Sequence, residues 1–178
     1  TGIDTCMLDE IEPDAARRSI VFVGATAYNF LNVFRALPTD QIESAPFSRN
    51  PVLSLQFDGE RDASAAFAIL SSRLAFWLWH VEGDGFHVAR QLLAELPFDR
   101  SSFEGGAWAR LAEAGAGLWE AIQAHPVVSL NKGRRTIAFR PFRNPRLRDE
   151  IDRLLLAAAG VPETFIEELK RFERCTVV

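Results

Sequence analysis

Between Val128 and Arg148 lie seven cations, Lys132, Arg134, Arg135, Arg140, Arg143, Arg146 and Arg148, and not one carboxylate. Six are arginine, whose planar fork of donors suits phosphate oxygens and the guanine edge. In a DNA complex, phosphate contacts give affinity and register, while base-edge contacts give sequence choice. The segment supplies cations for the first role, and Arg134, Arg135 or Asn131 can perform the second by bidentate pairing. Asn131-Lys132-Gly133-Arg134-Arg135 is the expected tip of this surface, and Arg140 and Arg143 are further DNA-binding candidates. Five of the seven cations on phosphates would give log affinity a slope of about −4.5 against log salt, at about −0.9 per phosphate. The competing reading is a solvated loop whose arginines pair with the acidic helices around it.

The rest of the chain is acidic. Residues 1–127 carry 9 basic and 17 acidic side chains, and residues 149–178 carry 4 and 7, so the whole has a formal charge of −4. That excludes a uniformly basic, histone-like binder and leaves a local patch as the electrostatic feature.

Other constellations are weaker. His80, Asp84 and His87 have ligand chemistry, but their spacing matches no standard metal motif and Gly83 and Gly85 loosen the loop. A structural turn, or one that turns Asp84 and His87 toward nucleic acid, is the better reading. Ser71 and Ser72 have no GxSxG setting. No phosphate loop or GxGxxG occurs. Asn50-Pro51 is followed by Val52 and Leu53, so it is not an adenine-flipping Asn-Pro-Pro-Tyr motif. His125, before Pro126, reads as a helix-end residue. Phe76, Trp77, Trp79, Trp108 and Trp119 fall at helical spacing and belong to a core, Trp79 and Phe86 being the two least bound to it. No catalytic residue and no cofactor site is assigned.

The elements that must position these residues follow from periodicity. Residues 1–18 read as irregular and acidic. Ser19–Gly24 and Val52–Phe57 read as strands, residues 27–37 as helix or strand, and 39–51 as a Pro-punctuated loop. Helices are expected over 62–80, 88–96 (stopped by Pro97) and 103–124, the last with Gly115 and Gly117 placed for close packing. Thr136–Phe139 reads as a strand after a turn at Asn131–Gly133. Asn144-Pro145 is an N-cap followed by Pro at the first helical position, opening a helix that stops at Gly160, and a last helix covers 162–173. The expected fold is therefore α+β. A small sheet of few strands packs with several helices in one domain over 19–178, and residues 144–178 form a C-terminal helical pair.

The length of 178 residues suits one domain, and 48% hydrophobic content excludes a disordered chain. Cys6 and Cys175 form no CxxC, as expected of free thiols in a reducing cytoplasm. The apolar run from Ala63 to Trp79 is shorter than the roughly 20 residues of a membrane span, so no membrane partner is expected. A chain that opens on Thr1 without a signal-like segment reads as a piece of something larger.

Three segments in order resemble a known family. Ala68-Ile-Leu-Ser-Ser-Arg-Leu-Ala-Phe-Trp-Leu-Trp79, Gly83-Asp-Gly-Phe-His-Val88 and Leu93-Ala-Glu-Leu-Pro97 resemble the C-terminal part of adenine-N6 DNA methyltransferases. The resemblance is to the specificity regions of Eco57I-like and type IIG restriction–modification enzymes, where a "LLNSxLFxWxW" helix runs into a "sDGxH" turn. Ser71-Ser72 stands here in place of the usual Asn-Ser. Arg148-Asp-Glu-Ile-Asp-Arg-Leu-Leu155 with Gly160-Val-Pro-Glu-Thr-Phe-Ile-Glu-Glu-Leu169 is similar to their closing segment. The resemblance implies a target recognition domain that binds double-stranded DNA. S-adenosylmethionine and the chemistry would belong to a methyltransferase catalytic domain in the same or another chain. The runner-up is a protein-interaction domain docking to a methylase or nuclease subunit, and a third reading is a small metallo-enzyme using His80, Asp84 and His87.

Overall fold

The computed structural model describes residues 2–11, 19–27, 29–38, 46–96 and 99–177. Its first strand, β1 (Gly2–Met7), falls within the segment expected to be irregular. Nothing local makes it a strand; it pairs antiparallel along the strand Pro51–Gln56 from Gly2 opposite Gln56 to Met7 opposite Pro51, so long-range register overrides weak propensity. Residues 12–18 lie outside the described residues. The two expected strands are present as β2 (Ile20–Gly24) and β4 (Pro51–Gln56), antiparallel, with Val21 opposite Leu55 and Val23 opposite Leu53. The ambiguous 27–37 stretch yields only the two-residue strand β3 (Val33–Phe34), beside β2. The sheet order is β1-β4-β2-β3.

The helix expected over 62–80 is two helices, α1 (Glu60–Ser71) and α2 (Arg73–Glu82). Apolar periodicity runs straight through the junction, but Ser72 turns extended (φ −72°, ψ 159°) and caps both ends. Its hydroxyl donates to the Ile69 carbonyl at 2.6 Å and accepts from the Ala75 N–H at 2.9 Å. A serine able to replace backbone partners on both sides makes a buried break affordable. A short helix α3 (Arg90–Ala94) follows; Pro97, its expected stop, lies outside the described residues. α4 (Ala107–Gln123) packs along α1. Gly115 lets the two approach, since a methyl there would overlap the Ser64 carbonyl oxygen and meet the Ala68 side chain. Gly117 has no such role: its nearest neighbour, the Leu147 side chain, would sit at an ordinary 3.7 Å.

After α4 the chain forms β5 (Val127–Asn131) and β6 (Arg134–Ala138), an antiparallel hairpin of which only the second strand was expected. It closes with α5 (Pro145–Ala158) and α6 (Phe165–Thr176), the expected helical pair. Asn144 caps α5 by accepting from the Leu147 N–H, and Pro145 follows at the first helical position, as its sequence signature predicts. The architecture is a mixed α+β fold, with six α-helices and two antiparallel sheets among the described residues. An aromatic file runs through the core from the sheet to the helices: Phe22 on Phe34, Phe34 on Phe139, Phe139 on Trp119 and Trp119 on Phe67, with ring centroids 5.0–5.6 Å apart. Buried Arg35 ties the sheet to α1 by donating to the Ile20 carbonyl, the Ser64 hydroxyl and Glu60. No helix among the described residues is long and apolar enough to cross a membrane.

Candidate nucleic-acid interface

The tip of the β5–β6 hairpin is a two-residue turn in which Lys132 (φ 50°) and Gly133 (φ 77°) are both left-handed. Such turns match the right-handed twist of the strands they join, at the cost of positive φ at both central positions. Cross-strand partners share a face, so register sorts the hairpin's side chains. Ser129 with Thr136, and Asn131 with Arg134, lie on one face. Val128 with Ile137, and Leu130 with Arg135, lie on the other. Ile137 is buried, and the Arg135 guanidinium stands 4.7 Å from the ring centroid of buried Phe47, so this second face turns toward the body. The first face carries exposed Ser129 and Asn131 together with half-buried Thr136 and Arg134. At its centre the Ser129 and Thr136 hydroxyls meet at 2.6 Å, and at its end stand Asn131 and Arg134. Leu130, close to the turn on the second face, is 68% exposed.

The ribbon is fixed from two sides. Arg135 exchanges backbone hydrogen bonds with the Pro46 carbonyl (2.9 Å) and the Ser48 N–H (2.6 Å), and Arg134 Nη1 donates to the Phe47 carbonyl at 3.1 Å. On the sheet side, the Asn32 carboxamide donates to the Ile137 carbonyl (2.9 Å) and accepts from the Phe139 N–H (3.0 Å), as a peptide group of a neighbouring strand would. Asn32 and Phe47 are the supporting residues that sequence reading did not single out. Asn32 lies in the ambiguous 27–37 stretch and Phe47 in the loop, and neither carries a local signal for a partner about a hundred residues away.

The remaining cations follow the end of β6, itself about 15 Å from the turn at roughly 3.4 Å per strand residue. The Arg140 guanidinium carbon is 5.8 Å from the Phe142 ring centroid. Arg143 and Arg146 are exposed at the N-terminal end of α5, where a helix dipole disfavours positive charge. Helix stability therefore does not account for them. No ion pair joins Lys132, Arg134, Arg140, Arg143 or Arg146 to a carboxylate among the described residues.

Arg148 does not belong to this surface. It is 3% exposed, donates to the Ser71 carbonyl at 3.0 Å and pairs with Glu173. The reason is its place on α5: Arg148, Ile151, Asp152 and Leu155 recur at helical steps and form the buried stripe. Asp152, also buried, accepts from Arg73 through both guanidinium and backbone. Burial raises the Asp152 carboxyl, against the pull of Arg148 and Arg73. Asp149 pairs with Arg73 and Lys170; burial works to raise its carboxyl, but the hydrogen bond from Lys170 and the charges of Arg73 and Lys170 hold it below the ordinary value. The segments Ala68–Trp79 and Arg148–Leu155, quoted separately from the sequence, are thus docked on each other.

Asp84 and His87 form an exposed turn. Asp84 Oδ1 accepts from the Phe86 and His87 backbone N–H groups at 2.9 and 2.7 Å, and Oδ2 lies 2.6 Å from His87 Nδ1. The side-chain contact with His87 and those backbone donors lower the Asp84 pKa to about 2. The turn is pinned to the chain after β2: Ala27 N–H donates to the Phe86 carbonyl, and Val88 N–H to that of Ala25. Trp79 is buried and its indole N–H donates to the His87 carbonyl at 2.9 Å, so it belongs to the core. The same connection that meets His87 at Thr26 meets the hairpin at Asn32. Six residues reach at most about 20 Å, which is the upper limit on the separation of the two attachment points. His80 stands apart with its ring against Phe76, Trp79 and Phe172, and no cluster of three potential metal ligands occurs among the described residues.

The chain matches no protein-family model, and comparison with curated proteins and with solved structures gives no significant match.

Proposed function

We propose that this chain is a target recognition domain that binds double-stranded DNA for an adenine-N6 DNA methyltransferase or a methylase–nuclease fusion. In this reading a separate domain binds S-adenosylmethionine and performs the transfer. The observation that carries it is the display of an acid-free cationic segment as a projecting two-stranded ribbon, with Lys132, Arg134 and Asn131 at its tip and Arg140, Arg143 and Arg146 at its base. A two-stranded ribbon fits the major groove, which is about 12 Å wide. The cations behind it then fall where flanking phosphates run. The exposed Asp84–His87 turn, attached at the other end of the connection that holds the hairpin, would add a second set of hydrogen-bonding groups. The order of the motif echoes supports the same class, and their mutual docking through Arg73 and Asp152 gives them a common structural role.

The test is binding of the chain to duplex DNA at two salt concentrations, with an Arg134→Ala/Arg135→Ala variant alongside. The expected result is salt-sensitive binding that the double variant loses; equal affinity of variant and wild type removes the hairpin from the interface. The second reading, docking to a methylase or nuclease subunit, is favoured by the apolar hollow between α2 and α6 lined by Trp77, Phe165 and Phe172. It predicts co-purification with such a subunit and salt-insensitive, poor DNA binding.

A further inference from the structure

We infer that the cross-strand pair Asn131–Arg134 is the base-reading element of the hairpin, and that it recognises an adenine and a guanine in adjacent base pairs from the major groove. The inference rests on the DNA-binding reading above and goes beyond it by naming the residues and the bases.

Three features of the ribbon lead there. First, register places exposed Asn131 directly opposite half-buried Arg134 on one face of the ribbon, the last pair before the turn. Paired side chains on one face of antiparallel strands have Cβ atoms about 5 Å apart, close enough to address neighbouring base pairs together. Second, the two side chains have the donor and acceptor sets of the commonest bidentate contacts: a carboxamide for adenine N6 and N7, and a guanidinium for guanine O6 and N7. One of the five Arg134 donors is held by the Phe47 carbonyl, which leaves four for a base. Third, the next pair on that face, Ser129 with Thr136, is small, so the ribbon can approach base edges without a bulky side chain intervening. Lys132, in the turn itself, has a point charge suited to a phosphate and no geometry for reading a base. Charge commits the surface to a polyanion. A groove that is deep and narrow, as in duplex RNA, would not admit the ribbon, so the ligand is duplex DNA.

Selection from a duplex library with a randomised core, carried out with the whole chain, reads this out directly. Wild type is expected to yield a consensus containing adjacent adenine and guanine positions. Arg134→Lys keeps the charge and removes the planar fork, so it should retain salt-dependent binding to random duplex while losing preference at the guanine position by about tenfold. Asn131→Ala should relax the adenine position by a similar factor and leave guanine selected. Circular dichroism of each variant establishes that the fold is kept, and Asn131→Ser serves as a gentler replacement should the alanine variant lose it. A consensus unchanged in both variants overturns the inference, as does salt-dependent binding with no consensus at all; in either case the DNA-binding reading stands. Wild type that binds no duplex, or binds duplex RNA in preference, removes that reading and this inference with it.

Discussion

Arg73 and Asp152 meet twice: the Arg73 guanidinium lies 2.8 Å from one carboxylate oxygen, and its backbone N–H donates to the other at 3.0 Å. The second contact exists only because the helix breaks at Ser72, which leaves the N–H groups of the first turn of α2 without helical partners. Asp152 thus caps one helix from another and neutralises a buried cation in the same act. Asp152→Ala is expected to destabilise the chain by about 3–5 kcal/mol, the range for removing one partner of a buried ion pair. Urea denaturation followed by circular dichroism measures it, and a loss within experimental error would show that the cluster does not hold α5 in place.

The two glycines of α4 should respond in opposite directions. Gly115→Ala gains helix propensity of about 1 kcal/mol but drives a methyl into the Ser64 carbonyl oxygen, and overpacking of this kind costs about 1–3 kcal/mol. Gly117→Ala meets only an ordinary contact with Leu147 and should stabilise by up to about 1 kcal/mol. Thermal unfolding of both variants against wild type decides between this and a uniform effect of helical glycine.

Acid should loosen the Asp84–His87 turn. Its carboxyl is lowered from 3.8 to about 2 in the folded chain, so the unfolded state takes up the proton first as pH falls. The stabilisation is fully present above pH 3.8 and is lost as pH falls through about 2. A carboxyl titration by NMR should place Asp84 well below the other exposed acids, and Asp84→Asn should remove that part of the acid dependence. A midpoint near the ordinary aspartate value would mean that the contact with His87 is not held in solution.

At the hairpin turn, charge and backbone geometry can be separated. Lys132→Gly suits the positive φ and removes one cation, so it should leave the fold intact and make the slope of log affinity against log salt shallower by about 0.9. Gly133→Ala keeps the charge but strains a left-handed position, and should lower hairpin stability by about 1 kcal/mol or more. If both variants bound DNA with the wild-type slope, Lys132 would have no phosphate contact.

Much of the fold was legible where local signals were strong. The runs around Val21–Val23 and Val52–Leu55, the step pattern of α4 and the Asn144-Pro145 start of α5 all read correctly because each element carries its own evidence in a few neighbouring residues. What escaped depends on partners far away in sequence. Gly2–Met7 is a strand because β4 lies beside it, and Val127–Asn131 because β6 returns along it after the Lys132–Gly133 turn. The Ser72 break was masked by apolar residues that keep helical period across it. Of the candidate site, the basic segment was readable as charge, but its division into tip and base was not. The buried place of Arg148 could have been found: it falls at three- and four-residue steps from Ile151, Asp152 and Leu155, so the stripe that buries them includes it.

The carboxamide of Asn32 has a consequence for how such a ribbon could change its preferences. It is the side chain that grips both Ile137 and Phe139 from the sheet, one of the two attachments that aim the ribbon. An aspartate there could still accept from Phe139 but would set an anion against the Ile137 carbonyl, tilting the blade without altering its edge. If the proposed DNA reading holds, new selectivity would arise two ways, by exchanging the letters at the tip or by re-aiming an unchanged tip from a residue outside it.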